Sequence, residues 1–88
     1  MEKSMREKKK LAGQMEPTVR IGRAGLTNAV LEEIKGQLKK REAVKVKILG
    51  ADRDGVRCIA SEMADKTVSE IVDVRGNTVT LWLKRSET

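Results

Sequence analysis

Apolar residues alternate with polar ones in four stretches of this chain and recur three or four positions apart in three others, and the two patterns take turns. In "TVRI", Val19 and Ile21 fall on one side and Thr18 and Arg20 on the other, which is the two-residue period of a short strand. "AVKVKIL" repeats it, with Val44, Val46 and Ile48 opposite Lys45 and Lys47, so this strand has one basic face. "EIVDVR" and "TVTLWL" flank Gly76-Asn77, and a two-residue linker with glycine first suits a type II′ hairpin turn.

Between these stretches the period lengthens. Residues 3–15 place Met5, Leu11, Ala12 and Met15 close to helical spacing beneath a lysine-rich outer face, and Pro17 stops that helix. Thr27 is a good N-cap for a second helix, in which Val30, Leu31, Ile34 and Leu38 form the apolar stripe. Lys39, Lys40 and Arg41 sit at its C-terminal end, where cations suit the helix dipole. A third helix runs from about Asp52 to Lys66 with Val56, Ile59, Ala60 and Met63 inward, although Gly55 weakens its first turn by about 1 kcal/mol relative to alanine. The order α-β-α-β-α-β-β, with no linker long enough to divide it, predicts a single α/β domain over residues 1–88. Two strand-helix-strand units and a closing hairpin imply a four-stranded mixed sheet under helices.

Composition narrows what such a domain does. With no Phe or Tyr and only Trp82 as an aromatic, the core is aliphatic and thin. One cysteine allows no internal disulfide, no run approaches the roughly 18 apolar residues of a membrane span, and the N-terminus lacks the apolar stretch of a signal peptide. The expectation is a reduced, cytoplasmic, soluble protein that acts as a monomer. Charge adds a direction: the net +6 divides into +7 for residues 1–47 and −1 for residues 48–88. A basic half suits a polyanion, above all nucleic acid, although a lysine-rich surface also serves solubility alone.

Catalytic and metal chemistry find little support. The chain has no histidine, its serines and carboxylates are dispersed, and Cys58 reads as core filler on the inner stripe of the third helix. One cysteine without histidine cannot supply an ordinary zinc site. "GADRDG" resembles the first half of a calcium loop, with Asp52, Asp54 and Gly55 at its third, fifth and sixth positions, but Gly50 and Ser61 stand where its first and twelfth ligands belong. No enzyme activity, cofactor, metal or small-molecule substrate is expected.

The binding signal is "GRAG", Gly22 to Gly25, between a strand and a helix start. Residues without Cβ atoms let another backbone approach, and a helix N-terminus carries about half a positive charge, so a phosphate fits there. Arg23 can add a charge-assisted contact to the same oxygens. A tight turn needing positive φ would account for glycine equally well. Arg20, Arg23, Lys39, Lys45 and Lys47 are the cations placed to neutralise phosphates. Together with Gly22, Ala24, Gly25 and Thr27 they form the candidate nucleic-acid site. Trp82 shares a face with Thr78 and Thr80, and either stacks on a base or packs under the first helix or the last residues.

The segment "PTVRIGRAGLTNAVLEEIKGQL", then "VKVKI", then a hairpin ending in "LWLKR", resembles the CRM domain, the chloroplast RNA splicing and ribosome maturation module, with YhbY-like stand-alone prokaryotic members. The resemblance spans about Lys8 to Arg85 and is most specific from Ile21 to Thr27. It implies a fold similar to the C-terminal domain of translation initiation factor three. It also implies RNA binding through the GxxG loop, as in KH domains, and association with ribosomal RNA of the large-subunit precursor. Ala24 departs from the polar residue common there, which leaves the loop contact to backbone amides and Arg23. A protein-binding or scaffold module with an acidic partner is the alternative reading of the same basic surface.

Overall fold

The computed structural model describes residues 3–22 and 24–84. Its elements follow the predicted order: α1 (Met5–Gln14), β1 (Val19–Ile21), α2 (Asn28–Arg41), β2 (Ala43–Ile48), α3 (Arg53–Thr67), β3 (Ser69–Arg75) and β4 (Thr78–Leu83). Each helix begins where a short polar side chain can satisfy an orphan amide. Ser4 accepts from the Glu7 N–H, Thr27 from the Val30 N–H and Asp52 from the Gly55 N–H. At Gly76-Asn77 the glycine takes φ 54°, while Asn77 does not have positive φ, the combination a II′ turn requires at its two central positions.

The strands form one mixed sheet in the order β1-β2-β4-β3, with β1 parallel to β2 and the other two pairs antiparallel. β4 therefore lies between β2 and β3, the strands that α3 connects. One face of the sheet carries Val19, Ile21, Val44, Val46, Ile48, Val79 and Leu81 against Ile34 and Leu38 of α2 and Val56, Ala60 and Met63 of α3. Period-two and period-3.6 stripes meet there in a single aliphatic core.

The opposite face is only partly covered. Over it α1 closes a smaller cluster in which Ala12 meets Ala43, Val72 and Trp82, with Leu11 and Met15 at its margin. Trp82 is thus packed under the first helix, with the Lys8 ammonium 5.9 Å from its ring centroid. Lys8 also pairs with Glu70, which stands opposite Trp82 across the β3–β4 ladder. Met5, at the free start of α1, stays exposed.

One detail departs from expectation. Cys58 is exposed rather than core filler. The buried stripe of α3 is Val56, Ala60, Met63 and Thr67, and a residue two positions after Val56 lies about 200° around the helix from it, facing solvent. Both α2 and α3 end without glycine: Glu42 and Val68 take the left-handed conformation at φ 66° and 51°. Their carbonyls accept from the Leu83 and Lys84 N–H groups, so both caps are tied to the end of β4.

Candidate nucleic-acid interface

Because β1 and β2 are parallel, their C-terminal ends emerge at the same edge of the sheet, where the β3–β4 turn also lies. The Leu49 N–H donates to the Ile21 carbonyl and the Ile48 N–H to the Asn77 carbonyl, which ties the ends of three strands together. The GxxG loop leaves from this edge. The Gly25 N–H closes a turn on the Gly22 carbonyl at 3.1 Å, and two residues later Thr27 caps α2. The N–H groups of Asn28 and Ala29, in the first turn of α2, have no intrahelical acceptor and point along the axis on the loop side, where the dipole is positive.

The two glycines differ in what the fold asks of them. Gly25 has φ +73°, a conformation that L side chains rarely adopt. Gly22 lies outside that region, and a Cβ built on it would meet nothing within 4 Å among the described residues. The turn therefore explains one glycine and leaves the other, solvent-exposed, with no internal reason to lack a side chain.

On the sheet face away from α2 and α3, the register aligns Arg20 of β1 with Lys47 of β2, Lys47 with Thr78 of β4, and Thr78 with Arg75 of β3. This cross-strand row carries three cations beside the loop. Arg20 and Lys47 have no ion-pair partner among the described residues, and Arg75 pairs with Asp73 at 3.0 Å while remaining largely exposed.

The other expected residues are placed unevenly. Ala24 and Thr27 are exposed in the loop region, Thr27 with its hydroxyl already accepting from Val30. Arg23 lies outside the described residues. Lys39 is in the last turn of α2, about 16 Å along the axis from the helix start, so the fold does not bring it to the loop. Lys45 is half-buried, and its ammonium donates to the Ala12 and Met15 carbonyls at 2.9 and 3.1 Å, closing the C-terminal end of α1. Arg75 was hidden by its place in the neutral half of the chain. Alternation in "EIVDVR" opposes it to Val74, but only the register puts it in line with Lys47.

Comparisons with known proteins converge on this architecture. The family model of the CRS1 / YhbY (CRM) domain matches residues 1–82. The chain is 35% identical over 79 residues to a Haemophilus influenzae protein named RNA-binding protein, covering 90% of this chain and 80% of that one. It is 32% identical over 68 residues to the mitochondrial CRS2-associated factor 1 of Arabidopsis thaliana, covering 77% of this chain and 17% of that much longer one. The solution structure of a hypothetical Staphylococcus aureus protein, titled a candidate RNA-binding protein, superposes with a TM-score of 0.82 at 28% identity, covering 94% of this chain and 86% of that one. With the family model matching residues 1–82 and the fold and strand order shared with a solved relative, the protein belongs to the CRS1/YhbY (CRM) domain family.

Proposed function

We propose that residues 1–88 form one RNA-binding domain that holds RNA by its backbone, with phosphates at the Gly22–Gly25 turn and along the Arg20–Lys47–Arg75 row. The observation that carries this reading is Gly22. The fold has room for a side chain there and the sequence withholds one, which makes sense where an external backbone must come close. Arg23, next in the chain, adds its guanidinium to the same phosphates, and the orphan amides of α2 add theirs. The role is one of binding without a catalytic step. Trp82 is buried under α1, so the affinity comes from charge and shape rather than from an aromatic platform.

Backbone contacts read shape better than base sequence, so the partner is a folded RNA with irregular regions. The RNA-binding names of the relatives support RNA as the partner. Within it, the ribosomal RNA of the large-subunit precursor is the target: a small basic monomer in the cytoplasm suits a placeholder that leaves as assembly completes. In gradients of cell lysate the protein should sediment partly with large-subunit precursors, be depleted from translating ribosomes, and shift to the free fraction with Arg23→Ala or on ribonuclease treatment. Association with a ribonuclease-resistant protein complex alone would overturn the assignment in favour of a scaffold with an acidic partner.

A further inference from the structure

At the same edge of the sheet, but on the helical side, the N-terminal half of α3 and the β3–β4 turn enclose a cleft of about 470 Å³. Its floor is apolar, formed by Ala51, Val56 and the partly exposed Val74. Its rim is polar, with Arg53 and Arg57 one helical turn apart on the same side of α3 and Asn77 facing them from the turn. Neither arginine has an ion-pair partner among the described residues. Asp52 also borders the cleft, with its Oδ1 held 2.8 Å from the Gly55 N–H.

Resting on the RNA-binding reading above, we propose that this cleft receives one unpaired nucleotide of the RNA whose backbone lies on the GxxG loop. A concave site with an apolar floor and a few polar groups at its rim is the form that takes a planar, partly polar ligand. Guanidinium planes stack on extruded bases, and Asn77 offers both a donor and an acceptor to a base edge. The second carboxylate oxygen of Asp52 is an acceptor for an exocyclic amine. The charge of Arg53 and Arg57 suits the phosphates on either side of that base. Continuity with the loop is direct, because the Ile48 N–H bond to the Asn77 carbonyl and the Leu49 N–H bond to the Ile21 carbonyl put the turn and the end of β1 on either side of β2. The gap is two strand spacings, about 10 Å. The cleft gives a chain without exposed aromatic residues a means to tell unpaired from paired RNA.

The test uses the full chain and RNA hairpins that are either fully paired or carry a single bulged nucleotide at each position of the stem in turn. The wild-type protein should prefer one bulge position by roughly five- to tenfold, the scale of a single stacked base. Arg53→Ala/Arg57→Ala should abolish that preference with thermal unfolding unchanged, whereas Lys66→Ala, at the far end of α3, should preserve it. Gly25→Asp should weaken binding to paired and bulged hairpins alike. Equal binding of all hairpins by the wild type, or a preference that survives in the double arginine variant, would overturn the cleft alone. No binding of any hairpin by the wild type would overturn the RNA reading with it.

Discussion

The N–H of Gly25 donates to the carbonyl of Gly22 at 3.1 Å, and the two residues at the ends of that bond are glycine for different reasons. Gly25 is held at φ +73°, while Gly22 is in a conformation open to any residue, with free space where its Cβ would be. Gly25→Ala should therefore cost about 1 kcal/mol, a loss of roughly 4–8 °C in Tm for a domain of this size. Gly22→Ala should leave Tm unchanged or slightly raised, since it removes only freedom of the unfolded chain. Binding of a structured RNA, followed by fluorescence anisotropy, should weaken in both. Full binding by Gly22→Ala would remove the observation on which the backbone-approach reading stands.

Lys45 shows where charge counting misleads. Its alternation with Val44 and Val46 is visible in the sequence, and that pattern alone offers it to a ligand. The fold instead sets α1 over this face, and the Lys45 ammonium closes on the Ala12 and Met15 carbonyls. Lys45→Met should cost about 1–3 kcal/mol, the scale of hydrogen bonds to a charged group. It should also loosen α1 from Trp82, the only tryptophan, so the emission maximum should move to longer wavelength. A phosphate ligand would behave oppositely, losing RNA affinity with Tm and emission unchanged.

Val68 stands at φ 51°, a conformation unfavourable for a β-branched residue, and is 60% exposed, so its side chain gains little from packing. Its backbone does the work, the N–H donating to the Ala64 carbonyl and the carbonyl accepting from the Lys84 N–H. Val68→Gly keeps both bonds and relieves the strain, and should stabilise the protein by about 1 kcal/mol after the extra entropy of glycine in the unfolded chain is deducted. Thermal or denaturant unfolding reads this directly. An unchanged or lowered midpoint would mean that the strain is taken up elsewhere.

Local signals carried most of the fold. Thr27 announced the start of α2, the alternation around Val44, Val46 and Ile48 announced β2, and Gly76-Asn77 announced the hairpin, because caps, strand periods and tight turns depend on near neighbours. The insertion of β4 between β2 and β3 depends on contacts distant in sequence, and so do its consequences. The row joining Arg20 and Lys47 to Arg75 exists only through that strand order. The same holds for Trp82: its face could be read from alternation, but whether a helix covered that face could not. The loop itself was legible as a motif, while the difference between its two glycines required φ.

The cross-strand row makes a graded prediction about salt. Each phosphate contact that neutralises a charge contributes about 0.7–0.9 to the slope of log K against log salt. With Arg20, Lys47, Arg75 and Arg23 engaged, and the double charge of Arg53 and Arg57 beside them, the slope for a structured RNA should be about −4 to −5. Arg20→Ala and Lys47→Ala should each make it shallower by about 0.7–0.9. Arg75→Ala should do the same despite the Asp73 pair, because an arginine side chain that is 73% exposed gives up a surface partner at little cost. Lys39→Ala should change nothing, since Lys39 occupies the far end of α2. Titrations over a range of potassium chloride concentrations separate these cases. A slope that responds to Lys39 and ignores Arg75 would move the interface from the loop edge of the sheet to the opposite end of the molecule.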